Sequence, residues 1–356
     1  MISDPRFFGP TLTAIQSICD SKSTDLLYTI YVVCVDIDPK SKSLLLSLQR
    51  PDLIIQIIDT NTDKYARFKK SESLTFSNVS IADLLKFDLP DLIEEDKILY
   101  LDGDIVVKKD LADLYNTDIQ GYYLAAIPDS GSLYVKRDSI YSPDEYFNCG
   151  ILLLNLDALR KDHMGEKLFQ QKLELKDPRL MDQNVFNLVM RGHVKFLPIK
   201  YNFLYVNLAR AAHLWTFEEL NRKYNTSYSS LEEIAEEAYI IHYASKEKPW
   251  SFPETPAADE WKKVFDRLQK NLQGSECYSF FKEVIEKYYR AEQIKGTNID
   301  SNNTDVVFLQ SELQKLSEEN RTINKELSDI KGSKAYALSK SLEAPYHFIK
   351  KLIRKK

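Results

Sequence analysis

Residues 97–107 read Lys97-Ile98-Leu99-Tyr100-Leu101-Asp102-Gly103-Asp104-Ile105-Val106-Val107. The segment 97–101 has the apolar character of a buried strand, and two aspartates separated by one glycine follow it directly. Open α/β sheets bind ligands at the carboxyl ends of their strands, and buried carboxylates are costly unless a cation compensates them. Asp102 and Asp104 therefore predict a site for a hard divalent ion, magnesium or manganese, shared with the phosphates of a substrate.

Strands and helices alternate along the chain around this stretch. Apolar positions recur at helical spacing over residues 10–20, residues 26–35 read as a buried parallel strand, and a helical stretch around 41–48 precedes another apolar run at 53–58. Further strands are predicted at residues 97–101, 122–127, 150–154, 194–197 and 239–242. The alternation predicts an α/β fold with a mixed, mostly parallel sheet flanked by helices, in one domain of about 250 residues.

An Asp-x-Asp tripeptide is not specific by itself, because it occurs often in surface turns. Phosphatases of the haloacid dehalogenase type carry a similar motif, but theirs continues with Gly-Thr after the second aspartate. Ile105 and Val106 stand there in this chain, which argues against that class.

Composition and charge exclude several other classes. The net charge of −5 provides no field that would attract nucleic acid, so no nucleic-acid partner is expected. Four cysteines lie far apart without C-x-x-C spacing, which argues against a zinc ribbon or a disulfide framework and fits a reducing cytoplasm. The sequence has no apolar run of about 18 residues and no cleavable signal pattern at its N-terminus, so a cytoplasmic location is expected.

Helix-forming residues dominate after residue 250, where a helical extension is predicted over 251–300. Apolar residues then alternate steps of four and three between Leu309 and Ile330, which predicts a coiled coil over 301–332. Asn320 falls on a core position of that seam, where an amide typically fixes register or strand number. The coiled coil could form a homo-oligomer or pack back on the same chain.

The last segment, residues 333–356, is a basic amphipathic tail. Its apolar side chains fall on one side of a short helix, which favours binding to the anionic inner face of a membrane. The alternative is a solvated basic tail.

Three later segments resemble glycosyltransferase family 8 in their order and spacing. They are 146–156, which contains Asn148-Cys149-Gly150, then 182–187, and finally 242–250, which runs from His242 to Lys248-Pro249-Trp250. The family includes bacterial lipopolysaccharide galactosyl- and glucosyltransferases and the glycogenins, and the resemblance covers roughly residues 3 to 250. It implies a GT-A nucleotide-sugar-binding fold over residues 1–250 and transfer with retention of anomeric configuration.

The same resemblance implies roles for individual residues. Manganese or magnesium would be ligated by Asp102, Asp104 and His242. The catalytic positions would be Asp182, Gln183 and Asn184. Donor and acceptor would be bound by Asp4, Phe7, Lys86, Asp102, Gly103, Asp129, Asn148, Gly150, Ser245 and Lys248, with Lys248 adding positive charge at the diphosphate and Asp129 near the acceptor.

The chain departs from the family pattern at several of these positions. Asn184 stands where the family commonly has aspartate, Ser245 where it usually has glycine, and Lys86 where it usually has arginine. Lysine cannot reproduce the bidentate fork of arginine. The family's first strand is largely absent, so that Asp4 and Phe7 match only the turn that cradles uridine.

Several of these residues also have ordinary structural interpretations. Asn148 could be a turn residue and Asp182 a helix N-cap, a role that Asp182 could combine with sugar binding. His242 could be a core histidine, and Asp129 a loop carboxylate.

The expected function is transfer of galactose or glucose from UDP to a glycan or glycolipid acceptor of the cell envelope, at the inner face of the membrane. A covalent route is disfavoured because Gln183 is a poor nucleophile and Asn184 removes the nearby carboxylate. The alternative is a non-catalytic scaffold that recruits partner enzymes through its coiled coil.

Overall fold

The computed structural model describes residues 1–68, 80–133, 145–175, 182–275 and 277–283. The predicted coiled coil and basic tail lie outside these residues. Within them, no helix is both long enough and apolar enough to cross a bilayer. All four cysteines are unpaired.

A parallel three-stranded sheet forms the N-terminal part of the fold. Its strands are β1 (Ile2–Ser3), β2 (Tyr28–Val35) and β3 (Leu53–Thr60), in the order β1-β2-β3. Helices α1 (Phe8–Ser21) and α2 (Pro39–Leu46) provide the crossovers. The carboxylate of Asp38 caps α2 by accepting hydrogen bonds from two of its first N–H groups.

Two details of this sheet differ from the sequence prediction. The second strand begins at Tyr28, and Leu26 and Leu27 before it are exposed, because an apolar run does not show where the neighbouring strand begins to cover it. The first strand is short but present, since Ile2 and Ser3 pair with Val33 and Cys34.

A second sheet has four strands. Its strands are β4 (Lys97–Leu101), β6 (Leu124–Pro128), β7 (Phe147–Asn155) and β8 (Val194–Phe196), in the order β4-β7-β6-β8. A two-stranded antiparallel ladder joins β5 (Ile105–Val107) to β9 (Ile240–His242).

Parallel and antiparallel pairings are equally frequent among the described strands, three of each. Strand pairing is therefore mixed, as predicted, with as many antiparallel as parallel pairs where mostly parallel pairing was expected. Continuous apolar runs are typical of parallel strands buried on both faces, but β7 is equally buried and runs antiparallel to both of its neighbours.

Helices surround these strands. The remaining α-helices are α3 (Leu89–Leu92), α4 (Ala112–Tyr115), α5 (Leu156–Lys161), α6 (Met164–Glu174), α7 (Gln183–Val189), α8 (Tyr205–Arg210), α9 (Phe217–Tyr224), α10 (Leu231–Glu237) and α11 (Ala258–Leu272). Short 3-10 helices span Asp63–Phe68, Ile81–Asp88, Ser130–Leu133, Ile199–Tyr201 and Ala212–Leu214.

Strand β7 separates two hydrophobic cores. Ile151 and Leu153 point into one core, and Leu152 and Leu154 point into the other, as the two-residue period of a strand requires. Helix α11 packs against α1 and adds its apolar face to the first of these cores. This helix lies in the predicted 251–300 extension and is packed on the domain.

Candidate active site

The two aspartates and the histidine predicted as metal ligands meet at one point. Asp102 follows β4, Asp104 precedes β5, and the β5–β9 register sets His242 opposite Ile105. The His242 Nε2 atom lies 3.2 Å from Asp104 Oδ1 and 3.8 Å from Asp102 Oδ2. One ligand atom from each of the three residues lies within 4.8 Å of the others.

Gly150 makes room for this cluster, and Gly103, between the two aspartates, makes room for α1. A Cβ atom on Gly150 would lie 2.2 Å from His242 Cε1 and 2.8 Å from Asp102 Oδ2. A Cβ atom on Gly103 would lie 2.8 Å from the Thr11 hydroxyl of α1. Only a residue without a side chain fits at either position with its neighbours in place. Two carboxylates and an imidazole at this spacing fit a divalent cation such as manganese or magnesium.

A buried lysine compensates one of the carboxylates. The Lys248 ammonium lies 2.6 Å from Asp104 Oδ2 and donates to the Tyr243 carbonyl at 2.6 Å. Burial acts to raise the pKa of Asp104, but Lys248 and His242 outweigh it and hold that pKa well below its usual range. The site therefore keeps Asp104 ionised and ready to ligate a cation.

Lys86 is the second buried cation of the site. Its ammonium lies 2.6 Å from Asp182 Oδ2 and 3.4 Å from Asp102 Oδ1, and it donates to the Cys149 carbonyl at 3.2 Å. Burial acts to lower the pKa of Lys86, yet Asp102 and Asp182 raise it well above its usual value. The Tyr100 hydroxyl donates to Asp102 Oδ1 at 2.6 Å and so orients that carboxylate.

The structure rules out the helix-capping interpretation of the Asp182 side chain and the turn interpretation of Asn148. Asp182 occupies the N-cap position of α7, but its side chain does not cap the helix, because the carboxylate pairs with Lys86 instead. Asn148 lies within β7 and is not a turn residue. Both side chains are buried, and their polar contacts are with other residues of the site, Lys86 for Asp182 and Gln183 for Asn148.

A row of amides extends from the cation site. Gln183 donates to Asp129 Oδ2 at 2.7 Å and accepts from Asn148 Nδ2 at 3.2 Å. The Tyr146 hydroxyl donates to Asn184 Oδ1 at 2.5 Å. Asp129 also accepts from the Gly131 N–H at 2.6 Å, so it is anchored from both sides.

The predicted uridine turn lies at the end of β1. The Asp4 carboxylate accepts hydrogen bonds from the N–H groups of Arg6 and Phe7 and from the Ser80 hydroxyl. The Phe7 ring packs edge-on against Trp250, and the Lys248 ammonium lies 6.0 Å from the Phe7 ring centroid. This turn is therefore adjacent to the lysine that pairs with Asp104.

Ser245 lies in the loop between His242 and Lys248. Its hydroxyl donates to the Glu247 carbonyl at 3.0 Å. Glu247 in turn pairs with Arg210 at 2.5 Å.

Asn202 is a polar residue of the site that the sequence did not reveal. It follows the 3-10 helix Ile199–Tyr201, is only 2% exposed, and contacts both His242 and Asn148. Its burial depends on the tertiary fold, so no local pattern marks it.

Comparison with known proteins identifies the family. A sequence profile described as glycosyl transferase family 8 matches residues 1–253 of the 356. The chain belongs to glycosyltransferase family 8. The family 8 match begins at the first residue and ends just after Trp250, so it spans every site residue described above.

Individual relatives agree with this family 8 assignment. GlyA of Streptococcus pneumoniae serotype 4 is 30% identical over 246 residues, which make up 68% of this chain and 31% of GlyA. The lipopolysaccharide 1,2-glucosyltransferase of Escherichia coli is 28% identical over 222 residues, 60% of each chain. This chain thus matches between 31% and 60% of the length of these two relatives.

Solved structures establish the fold of this family 8 chain. The galactosyltransferase LgtC, in complex with donor and acceptor sugar analogues, superimposes with a TM-score of 0.60 at 23% identity, covering 75% of this chain and 94% of LgtC. GlyE of Streptococcus pneumoniae gives 0.55 at 22% identity, covering 82% and 62%. The GT-A fold predicted from the sequence is confirmed.

Proposed function

We propose that this protein is a metal-dependent hexosyltransferase that moves galactose or glucose from UDP to a hydroxyl group of a glycan or glycolipid, with retention of configuration. The observation that carries the proposal is the convergence of Asp102, Asp104 and His242, flanked by two buried lysines. The names of the E. coli relative and of LgtC support glucose and galactose as donor sugars.

The cation end of the site would bind the donor diphosphate. Asp102, Asp104 and His242 would hold manganese or magnesium, which supplies Lewis-acid stabilisation of the departing diphosphate. Lys248 adds a second positive charge beside Asp104, and it can turn to a phosphate oxygen when a cation neutralises that carboxylate. Asp4 and Phe7 would position the uridine.

The amide row would position the donor sugar. Asn148 and Gln183 are buried side chains with directional hydrogen bonds, which suits the recognition of sugar hydroxyls. Lys86 holds Asp182 in place by an ion pair at 2.6 Å, so the carboxylate has a fixed orientation towards the site.

The groups near Gln183 argue against a covalent intermediate. Asp182 is paired with Lys86, and Asp129 accepts from Gln183 and Gly131, so each is engaged in other contacts. Asn184 carries an amide, which is not a nucleophile. Retention, which the resemblance to family 8 implies, would then require the acceptor hydroxyl to attack from the face that the diphosphate leaves, with a diphosphate oxygen taking its proton.

The first test measures UDP release with UDP-galactose or UDP-glucose in the presence of manganese. Asp104→Asn should abolish release, because it removes a cation ligand and the partner of Lys248. Asp113→Asn makes the same charge change at an exposed position and should release UDP like the wild type. Release by Asp104→Asn at the wild-type rate would refute the role of the cation site.

Calorimetry separates the enzyme from the scaffold interpretation. An enzyme of this kind binds UDP together with manganese, whereas a scaffold that only recruits partners binds neither. Absence of heat with both ligands would reject the hexosyltransferase proposal.

The acceptor and the location belong to the same proposal. A basic amphipathic tail would hold the enzyme at the anionic inner face of the membrane, beside a lipid-linked or envelope glycan. Deletion of residues 344–356 should abolish flotation with anionic vesicles while UDP release continues. Unchanged flotation would reject this role for the tail.

A further inference from the structure

Five polar side chains form one continuous row from the cation site to Asp129. His242 Nδ1 lies 2.9 Å from Asn202 Oδ1, and Asn202 Nδ2 donates to Asn148 Oδ1 at 2.9 Å. Asn148 Nδ2 donates to Gln183 Oε1 at 3.2 Å, and Gln183 Nε2 donates to Asp129 Oδ2 at 2.7 Å. All five side chains are at most 8% exposed, so water has little access to replace a missing partner.

Asp129, at one end of this row, fixes which group donates and which accepts in each of its hydrogen bonds. An ionised carboxylate only accepts, so Gln183 must present its NH₂ group to Asp129. The Gln183 oxygen then faces Asn148, which must donate, and Asn148 Oδ1 is left to accept from Asn202 and from the Gly150 N–H at 2.9 Å. Asn202 consequently presents its oxygen to His242.

This order of donors and acceptors decides which atom of His242 the amide row holds. The oxygen of Asn202 requires a proton on His242 Nδ1. A ring without that proton would place two acceptors face to face at Asn202, and the ring held by Nδ1 points Nε2 at the cation site, 3.2 Å from Asp104 Oδ1. Reversing the three amides to relieve that conflict would transfer it to Asp129.

We propose that Asn202 is a positioning residue that holds the His242 ring by its Nδ1 atom, so that Nε2 faces the cation site, and that, through Asn148, fixes the orientation of the Gln183 amide. The effect on Gln183 rests on the proposed function, because it assumes a donor sugar beside that amide. The effect on His242 concerns only the imidazole and the cation. A ligating histidine that donates its other N–H to a fixed acceptor is held in the ligating tautomer and orientation.

Two substitutions at Asn202 separate these two effects. Asn202→Leu has a similar volume and removes both hydrogen bonds, so it frees the imidazole and the amides together. Asn202→Asp keeps an acceptor for His242 Nδ1, but it cannot donate to Asn148, and no arrangement of the amides then satisfies both ends of the row. Asn221→Leu is the control, because it removes a partly buried amide with several hydrogen bonds in another part of the fold.

The first readout is the His242 Nδ1 proton in full-length protein labelled with ¹⁵N-histidine. The chain has 5 histidines, and His242 is assigned by the loss of its signals in His242→Gln. A buried Nδ1 proton that is donated to Asn202 exchanges slowly with water, so the wild type and Asn202→Asp should both show this proton. Asn202→Leu should lose it. A wild type without a proton on Nδ1 would overturn the proposal.

The second readout is the affinity for manganese alone, without nucleotide. Asn202→Leu should weaken manganese binding about 10- to 100-fold, the effect typical of losing an outer partner of a ligating histidine. Asn202→Asp and Asn221→Leu should bind manganese at least as tightly as the wild type. Equal weakening in Asn202→Leu and Asn202→Asp would mean that Asn202 acts only through general packing, and would overturn the proposal.

The third readout is hexose transfer, which reports on Gln183. Asn202→Asp should lower kcat about 10- to 100-fold with a nearly unchanged KM for the donor, because a misplaced group near the reacting carbon costs rate more than binding. Unchanged kcat in Asn202→Asp would refute the coupling to Gln183. Failure of the hexosyltransferase proposal itself would appear as a wild type without transfer, and the Nδ1 proton and manganese readouts would still decide whether Asn202 positions His242.

Discussion

Substitution of Gly150 by alanine tests the geometry of the cation site most sharply. Gly150 lies in β7, its carbonyl accepts from the Asp102 N–H at 2.8 Å, and its N–H donates to Asn148. An added Cβ would lie 2.2 Å from His242 Cε1, where ordinary contacts begin at 3.4 Å. The imidazole or the strand would have to move by the difference, 3.4 − 2.2 = 1.2 Å.

A shift of this size is too large for a cation site. Metal–ligand distances tolerate changes of about 0.2 Å, so a displaced His242 would cease to be a ligand, and Asp102 would be pushed as well. We expect manganese affinity to fall about 100-fold or more, and the free energy of unfolding to fall by about 1–3 kcal/mol from overpacking. Isothermal calorimetry measures the first quantity, and urea unfolding measures the second.

Gly274→Ala is the control for this substitution. Gly274 follows α11 with φ +86, a conformation that strains a residue with a Cβ atom, and nothing lies within 4 Å of the added Cβ. It should lower the free energy of unfolding by about 1 kcal/mol and leave manganese affinity unchanged. Wild-type manganese binding by Gly150→Ala would refute the reasoning, because the cluster could then not have the geometry described.

Two further predictions concern charges. Lys86→Met should destabilise the protein by about 3 kcal/mol in urea unfolding, because two carboxylates lose their buried cation. Lys161→Met, which breaks an exposed ion pair, should leave stability nearly unchanged. Asp110 accepts hydrogen bonds from the Tyr28 hydroxyl and from three backbone N–H groups, which outweigh burial and lower its pKa. Because the pKa of Asp110 is lower in the folded than in the unfolded chain, ionised Asp110 stabilises the fold. This stabilisation is present above about pH 4 and is lost as the pH falls through the lowered pKa. Asp110→Asn should lower stability at pH 7 more than at pH 3, and an equal loss at both values would contradict this.

The sequence predicted the position of the strands better than their ends and directions. Strand β4 begins and ends where it was predicted, because polar residues bound the apolar run on both sides. Strand β7 begins three residues before the predicted Gly150, since Asn148 is polar and interrupts the apolar pattern although it belongs to the strand. The antiparallel course of β7 beside β4 depends on the whole chain path, which no local pattern encodes.

The cation ligands could be predicted because they stand in recognisable segments, whereas the groups that support them could not. Asp102 and Asp104 follow an apolar strand, and His242 begins a segment typical of the family. The pairing of Lys86 with Asp182 joins residues 96 positions apart. The contact of Asn202 with His242 spans 40 positions. The packing of separate elements brings such partners together. A lysine or an asparagine is equally common at the surface, so its residue type alone does not predict a buried contact.

The proposed function requires that Asp102, Asp104 and His242 bind one divalent cation that holds the donor diphosphate. A crystal structure of the protein with manganese and UDP, with anomalous data that locate the metal, would measure this directly. We expect one manganese peak about 2 Å from an oxygen of each aspartate and from Nε2 of His242, in contact with the UDP diphosphate. A manganese ion bound elsewhere, or UDP bound with no metal between the three side chains, would contradict it.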